Sequence, residues 1–379
     1  MGKVNLYKCD DYNYERVESI MKNIIDSFDV LKNINNMTVV IKANLVSAMA
    51  PEKCATTHPI LLNALTMALQ EKNCRVIIGD SPGGLFAESF LGHTYKVTGM
   101  MDTYAELNYN FKIRKVSFPD GEVLKNFEYT SYLDEADVII NFCKLKSHAM
   151  MKMSACVKNL FGTIPGMTKK EYHYRFPNHT DFANMLVDLN EYFKPIINIV
   201  DAIDGMDGNG PTAGDVKHMG LIVAGTSPYE TDYICSKLIG LDINDVDTLA
   251  VSKKRNLWNE KNIETNDNVN NYLVDNFNVA KDSSSIRFFS DDKNVFKKGI
   301  SKAAERVFDN KPNAIKSKCI GCSKCASVCP AKAIEIVNKK AVIDRKKCIK
   351  CYCCQEFCPV GAMQVKKSFL AKFLSRQKK

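Results

Sequence analysis

Nine of the chain's fifteen cysteines fall between positions 319 and 358, and their spacing limits what this part of the chain can become. The stretch reads Cys319-Ile-Gly-Cys322-Ser-Lys-Cys325-Ala-Ser-Val-Cys329-Pro330. After a spacer it reads Cys348-Ile-Lys-Cys351-Tyr-Cys353-Cys354-Gln-Glu-Phe-Cys358-Pro359. Each half is the C-x2-C-x2-C-x3-C-P run that holds a four-iron–four-sulfur cube by thiolates. Short spacers let three sulfurs converge on one cube, while the fourth cysteine, followed by proline, reaches the neighbouring one. The spacing therefore assigns Cys319, Cys322, Cys325 and Cys358 to one cluster and Cys348, Cys351, Cys354 and Cys329 to the other. Cys353 breaks the pattern: it is either a buried spare or a competitor of Cys354, and the spacing favours Cys354. Thiolates at two-residue gaps also suit tetrahedral zinc, but two complete runs, each closed by proline, favour the cubes. Disulfides fit worse, because such gaps crowd the thiols and nothing marks the chain as secreted.

Met1 is not followed by a basic start and an apolar signal segment. No apolar run approaches the roughly eighteen residues of a membrane span. The expected location is the cytoplasm, where clustered thiols stay reduced. The net charge of +9 is unevenly placed: residues 312–379 carry sixteen Lys/Arg against three Asp/Glu, and residues 1–311 carry thirty-six against forty. Lysines near a cluster can screen its charge, or they can form a docking face for an acidic redox donor such as a ferredoxin or flavodoxin. Nucleic acid is disfavoured, since no aromatic residues interleave with the basic ones in a groove-like pattern. In the tail, Phe369–Arg376 has the spacing of a basic amphipathic helix. Folding back onto its own domain is favoured there over lying on a membrane surface.

Residues 1–311 alternate strand and helix signals. Strands are expected at Val4–Cys9, Met37–Ile41, Arg75–Gly79, Ala136–Phe142, Pro195–Val200 and Met219–Ala224. Helices are expected at Tyr14–Phe28, Ile60–Leu69 (capped by Thr56-Thr57), Met150–Phe161, Asp181–Phe193 and Tyr229–Leu238. Ser252–Ser285, rich in Asn, Asp and Lys, reads as an exposed excursion, and Lys311-Pro312-Asn313 as the start of a linker. The fold class is α/β, a largely parallel sheet domain over 1–311. A C-terminal α+β two-cluster domain follows over 312–367, then the tail 368–379.

Ligands in open parallel sheets sit beyond the carboxyl ends of the strands. Four polar groups fall there: Lys42 with Asn44, Asp80-Ser81-Pro82-Gly83-Gly84, Lys144 with Lys146 and His148, and Asp201 through Pro211. Ser81, Gly83, Gly84, Gly208 and Gly210 would wrap an anion with backbone amides, while Lys42, Lys144, Lys146, Lys158, Lys169 and Lys170 supply positive charge and Asn159 a further contact. Lys146, His148, His58, His173 and Asp80 are candidates for proton transfer, and Asp201 and Asp204 for bases or hard-metal ligands. Each signal has a blander reading. Asp-Ser-Pro-Gly-Gly is also an ordinary tight turn, and His58 before Pro59 is also a helix-start residue. Their joint occurrence at strand ends is what favours a site.

On Lys42-Ala43-Asn44, Thr57-His58-Pro59, Asp80–Gly84, Lys144–His148, Val157–Gly162, His173 and Asp201–Pro211, the chain resembles the domain of unknown function 362 family over roughly residues 36–240. Ala43 and Asp207 depart from the usual Pro and Glu. The resemblance implies a domain layout and no particular reaction. The cysteine runs resemble bacterial-type ferredoxins with two 4Fe-4S clusters, which implies single-electron transfer. The expected function is an iron–sulfur oxidoreductase of anaerobic metabolism, passing low-potential electrons to an anionic small molecule over the strand ends, with a flavin as a suitable intermediary. The alternatives are a non-catalytic electron carrier and a cluster or metal delivery protein.

Overall fold

The structure, a computed structural model, describes residues 2–279 and 311–366. Among the described residues a nine-stranded sheet organises the larger part, in the order β11-β1-β10-β9-β7-β2-β3-β4 with β8 paired to β7. Its strands are β1 (Gly2–Lys8), β2 (Thr38–Lys42), β3 (Arg75–Gly79), β4 (Glu106–Leu107), β7 (Val138–His148), β8 (Lys152–Ser154), β9 (Ile197–Asp207), β10 (Asp215–Gly225) and β11 (Ile263–Thr265). A separate ribbon pairs β5 (Ile113–Ser117) with β6 (Asn126–Thr130). The contiguous run β9-β7-β2-β3-β4 is parallel throughout, while β10 is antiparallel to both β9 and β1.

Alternate side chains of each strand feed opposite layers. Val39 and Ile41 pack with Leu61, Leu65, Val17 and Met21 of helices Pro59–Gln70 and Tyr14–Ser27. Val40 and Ile77 pack in the other layer, with Phe182, Leu186 and Leu238 of helices His179–Phe193 and Pro228–Leu238. Both faces of the sheet are covered, as an α/β domain requires. Every parallel strand of the run β9-β7-β2-β3-β4 points its carboxyl end toward one rim.

Several expected boundaries are corrected. β7 and β9 run on past Phe142 and Val200, so Lys144, Lys146, His148 and Asp201 lie inside strands rather than in loops. Met150–Phe161 is not one helix. The ring of His148 accepts the amides of Met150 and Met151 through Nδ1, both at 3.1 Å, and this closes a turn into β8. A helical turn starts only at Cys156, where the buried carboxylate of Asp232 takes the Cys156 and Val157 amides at 2.7 and 3.1 Å. Thr57 does not cap helix Pro59–Gln70. Its hydroxyl donates to the Phe142 carbonyl, and the cap is His58, whose Nδ1 accepts from the Ile60 amide. The stretch after Ser252 is not a bare excursion: Trp258, Val269, Phe277 and Val279 are buried and β11 pairs with β1. Its residues 280–285 lie outside the described residues, as does the tail 368–379.

Lys311 opens a strand rather than a linker. β12 (Lys311–Ala314) pairs with β15 (Met363–Lys366), and β13 (Ile334–Val337) with β14 (Lys340–Ile343). Short helices Lys324–Ser327 and Cys353–Glu356 complete this α+β unit. It docks on the loop after β9. The side-chain amide of Gln355 donates to Asn209 O, Asn209 Oδ1 and Gly210 O at 2.8–3.0 Å, and Thr212 Oγ1 donates to Glu356 O. Gln355→Leu removes the donor from the buried Gly210 carbonyl and the part-buried Asn209 carbonyl and is expected to cost about 1–3 kcal/mol. Faster amide exchange across 209–212 than in the wild type, at unchanged iron content, is the readout; equal protection would show that Gln355 does not hold this contact.

Candidate functional site

The eight thiols that the spacing selects fall into two groups of four. Cys319, Cys322, Cys325 and Cys358 line one small cavity, together with Ile320, Ile336, Ala341, Val360 and Met363. Cys329, Cys348, Cys351 and Cys354 line a second, with Pro312, Ile334, Ile343 and Ile349. Cys354, and not Cys353, faces the second cavity. The two halves turn alike because left-handed backbone recurs at related positions: Gly321 with Lys350, Ser323 with Tyr352, and Lys332 with Gly361. Held at φ near +60° without being glycine, Ser323 and Tyr352 each carry about 1–2 kcal/mol of strain, a cost that a fold meets where it must aim side chains. The amides of Ala333 and Ala362 donate to Cys329 Sγ and Cys358 Sγ at 3.2 and 3.1 Å, again in matching positions. Free thiols, apolar walls and amide donors to sulfur all suit 4Fe-4S ligation.

A third cavity, about 700 Å³, lies between this unit and the carboxyl ends of β2, β3 and β7. That volume falls in the usual range of small-molecule and cofactor sites, about 300–1,000 Å³. Asn44, Asp80, Ser81, Gly83, Gly84, Lys146, His148, Lys158, Asn159, Lys169, Lys170 and His173 all line it. From the cysteine-rich side come Val328, Cys353, Glu356, Phe357, Cys358 and Pro359. Cys358 and Pro359 thus belong both to this cavity and to the first thiol cavity.

The cations here differ in what they have left to give. An ammonium has three N–H groups. Lys146 donates two, to Asn44 Oδ1 and Ala55 O, each at 2.6 Å. Lys169 also donates two, to the Ser81 and Ile164 carbonyls. Lys158 lies 4.7 Å above the Phe161 ring and, among the described residues, has no hydrogen-bond or ion-pair partner. Burial pushes the Lys146 and Lys169 ammoniums down to about 7 and lowers Lys158 as well. Burial also holds His173 neutral, at about 3; its ring stacks on Phe182 and its Nδ1 has no partner among the described residues. His148 uses Nδ1 as an acceptor, so its proton sits on Nε2, 2.9 Å from Glu356 Oε1 but outside hydrogen-bonding geometry. Burial works to raise the Glu356 carboxyl, but His148 beside it, with Lys158 and His173 nearby, holds it down at about 2. Glu356 escaped the sequence reading, although it is one of only three acids in residues 312–379.

Other expected site residues lie elsewhere or are already spent. Lys42 sits behind the cavity wall in a fully buried ion pair with Asp80, 2.7 Å away, and Asp80 also takes the Leu45 and Ser81 amides. Lys144 and Asp201 form a second buried pair at 2.7 Å, closed by the Tyr12 hydroxyl and outside the cavity. His58 stacks on Tyr12 there, held at about 4 by burial, and Asp204 pairs with the exposed His218. Three of the four expected glycine amides are used within the fold, Gly83 on Val46 O, Gly208 on Asn278 O and Gly210 on Ser147 Oγ, and so are not free to wrap an anion. Gly83 instead admits the Phe357 ring, which a Cβ would strike at 2.3 Å. Among the described residues, no three His, Cys, Asp or Glu side chains gather closely enough to hold a single metal ion.

Comparison with known proteins gives a match over residues 39–237 to the family model described as a domain of unknown function, DUF362. A second match, to a 4Fe-4S dicluster domain, covers residues 318–362. A thylakoid-associated protein of Synechocystis is 30% identical over 263 residues, covering 67% of this chain and 79% of its own. Two solved structures align at 12% identity each: the lactate racemase apoprotein of Thermoanaerobacterium thermosaccharolyticum and a structural-genomics protein of Thermotoga maritima. Their TM-scores are 0.40 and 0.37; the alignments cover 63% and 65% of this chain and 57% and 60% of theirs, less than two thirds of either. No described helix is long and apolar enough to cross a membrane.

Proposed function

The chain belongs to the domain of unknown function 362 family and carries a 4Fe-4S dicluster domain, and from that premise we propose that it is an iron–sulfur oxidoreductase acting on an anionic small molecule. Cys319, Cys322, Cys325 and Cys358 would hold one cluster, and Cys329, Cys348, Cys351 and Cys354 the other. When bound, the clusters supply single electrons at low potential. The observation that carries the reading is the shared wall: Cys358 borders both a four-thiol cavity and the 700 Å³ cavity. A carrier that only exchanged electrons with other proteins would have no use for buried, partly unspent ammoniums in such a cavity.

In this reading Lys158 and the spare N–H groups of Lys146 and Lys169 bind the anion. Lys146, poised near neutrality, exchanges a proton with it. His148 keeps its Nε2 proton toward the cavity, and His173, uncharged, hydrogen-bonds without acting as an acid. A thermal-shift screen of anionic metabolites, nucleotides and flavins against the full, cluster-loaded protein tests this. A specific hit at low-micromolar concentration supports the enzyme; rapid electron exchange with proteins and no hit would favour the carrier.

The lysines also fix a pH dependence. An anion prefers the charged ammoniums, and those of Lys146 and Lys169 protonate as pH falls through about 7. Affinity for the hit is expected to rise at least ~10-fold from pH 9 to pH 6, with net proton uptake seen by calorimetry in buffers of different ionisation enthalpy. In the ligand-free protein the sign is opposite. Both lysines bind fewer protons folded than unfolded between about 7 and the ordinary 10.5, so their contribution to stability grows with pH across that window.

A further inference from the structure

The two cysteine runs are copies of one pattern, yet the protein treats their outer faces differently. Ile349, which follows the first cysteine of the second run, is partly buried against the cluster of Val328, Cys351 and Cys353, on which Met167 of the sheet domain also packs. Its counterpart Ile320, which follows the first cysteine of the first run, is 62% exposed. Val360, which lines the same thiol cavity as Ile320, is 40% exposed, and Cys322 is the only exposed cysteine of the eight.

Exposed lysines surround this bare apolar centre. Lys316 and Lys318 precede Cys319, and Lys339 abuts Gly321 through its backbone. An apolar centre with a charged rim is the usual anatomy of a protein–protein contact. The charge selects the occupant. Residues 368–379 of this chain carry Lys372, Arg376, Lys378 and Lys379 and no acid, so they match the rim in sign and are not its complement.

We propose that the face around Ile320, Val360 and Cys322 is where an acidic one-electron carrier protein, of the flavodoxin or ferredoxin kind, docks. This rests on the oxidoreductase reading. One electron leaves the reduced carrier for each electron this protein gains, and no bond is made or broken in the exchange. Basic residues near the repeat-related loop, Arg345, Lys346 and Lys347, are exposed too. That loop lacks the bare apolar centre, because Ile349 is partly buried where Ile320 is exposed, so it serves as the internal control.

The experiment uses the full, cluster-loaded protein and a small acidic flavodoxin as probe, with affinity measured by calorimetry at low salt and at ~0.5 M salt. Ile320→Asp and the pair Lys316→Glu with Lys318→Glu are expected to weaken binding by about tenfold or more. Lys346→Glu with Lys347→Glu is expected to change it by less than about twofold. Iron content, visible absorbance and melting temperature confirm that each variant is loaded and folded. If the control pair weakens binding and the Ile320 set does not, the face assignment is overturned while the oxidoreductase reading stands. If the wild-type protein binds neither flavodoxin nor an acidic ferredoxin, the assignment fails; a hit in the metabolite screen would still leave the enzyme reading intact.

Discussion

Lys158→Met is expected to weaken binding of the cavity's anionic ligand by about thirtyfold or more, with the fold as stable as before or more so. The pairing of effects follows from one observation: among the described residues this ammonium lies over the Phe161 ring with no hydrogen-bond or ion-pair partner, Glu356 being near it but not bonded to it. In the ligand-free protein burial lowers its proton affinity, and the nearby Glu356 carboxylate offsets only part of that. Methionine fills similar space without that cost. With the anion bound, the same ammonium becomes half of a desolvated ion pair, and truncating one partner of such a pair typically costs about 2–5 kcal/mol. Tenfold in affinity is about 1.4 kcal/mol, so the low end of that range already exceeds tenfold. Calorimetric titration of the screen's best hit and a melting curve together read both effects. A stability loss with unchanged affinity would mean that Lys158 is structural.

Lys144→Met is expected to do the reverse, destabilising the protein by about 3–5 kcal/mol and leaving ligand affinity unchanged. Lys144 and Asp201 are fully buried, 2.7 Å apart, on adjacent strands β7 and β9, and neither lines the cavity. Removing the ammonium strands the carboxylate with only Tyr12 Oη, the His58 amide and the Ile203 amide as donors. Adding Asp201→Leu removes the stranded charge and is expected to recover part of the loss. The midpoint of urea unfolding measures both variants. A loss under about 1 kcal/mol for the single variant would show that Tyr12 and the amides suffice without the cation.

Contrasting fates of lysines that look alike in sequence show where reading the chain stopped. Lys42, Lys144 and Lys146 sit at expected strand ends and Lys158 in an expected helix, and residue type with position cannot say which are spent. The structure separates them by partner: Asp80 consumes Lys42, Asp201 consumes Lys144, and Asn44 and Ala55 take two bonds of Lys146. These partners lie between 38 and 102 residues away along the chain, beyond any local pattern. The sheet domain was legible because its strands are short apolar runs and its helices amphipathic. The ends of β7 and β9 were not, because polar residues there are buried by pairing rather than exposed in loops. The cysteine grouping followed from spacing alone, and the four-and-four division of the thiols between two cavities matches it. The docking of the cysteine-rich unit had no sequence signal, since Gln355 and Glu356 read as ordinary polar residues between two ligands.

Low-temperature paramagnetic resonance of the anaerobically reduced, full-length protein, with and without the anion giving the largest thermal shift, tests the shared wall most directly. About eight irons per chain with inorganic sulfide are expected. The bound anion should alter the signal of one cluster, the one carrying Cys358, marked independently by the altered spectrum of a Cys322→Asp variant. An anion that leaves both signals untouched, or that changes only the other one, would contradict the account.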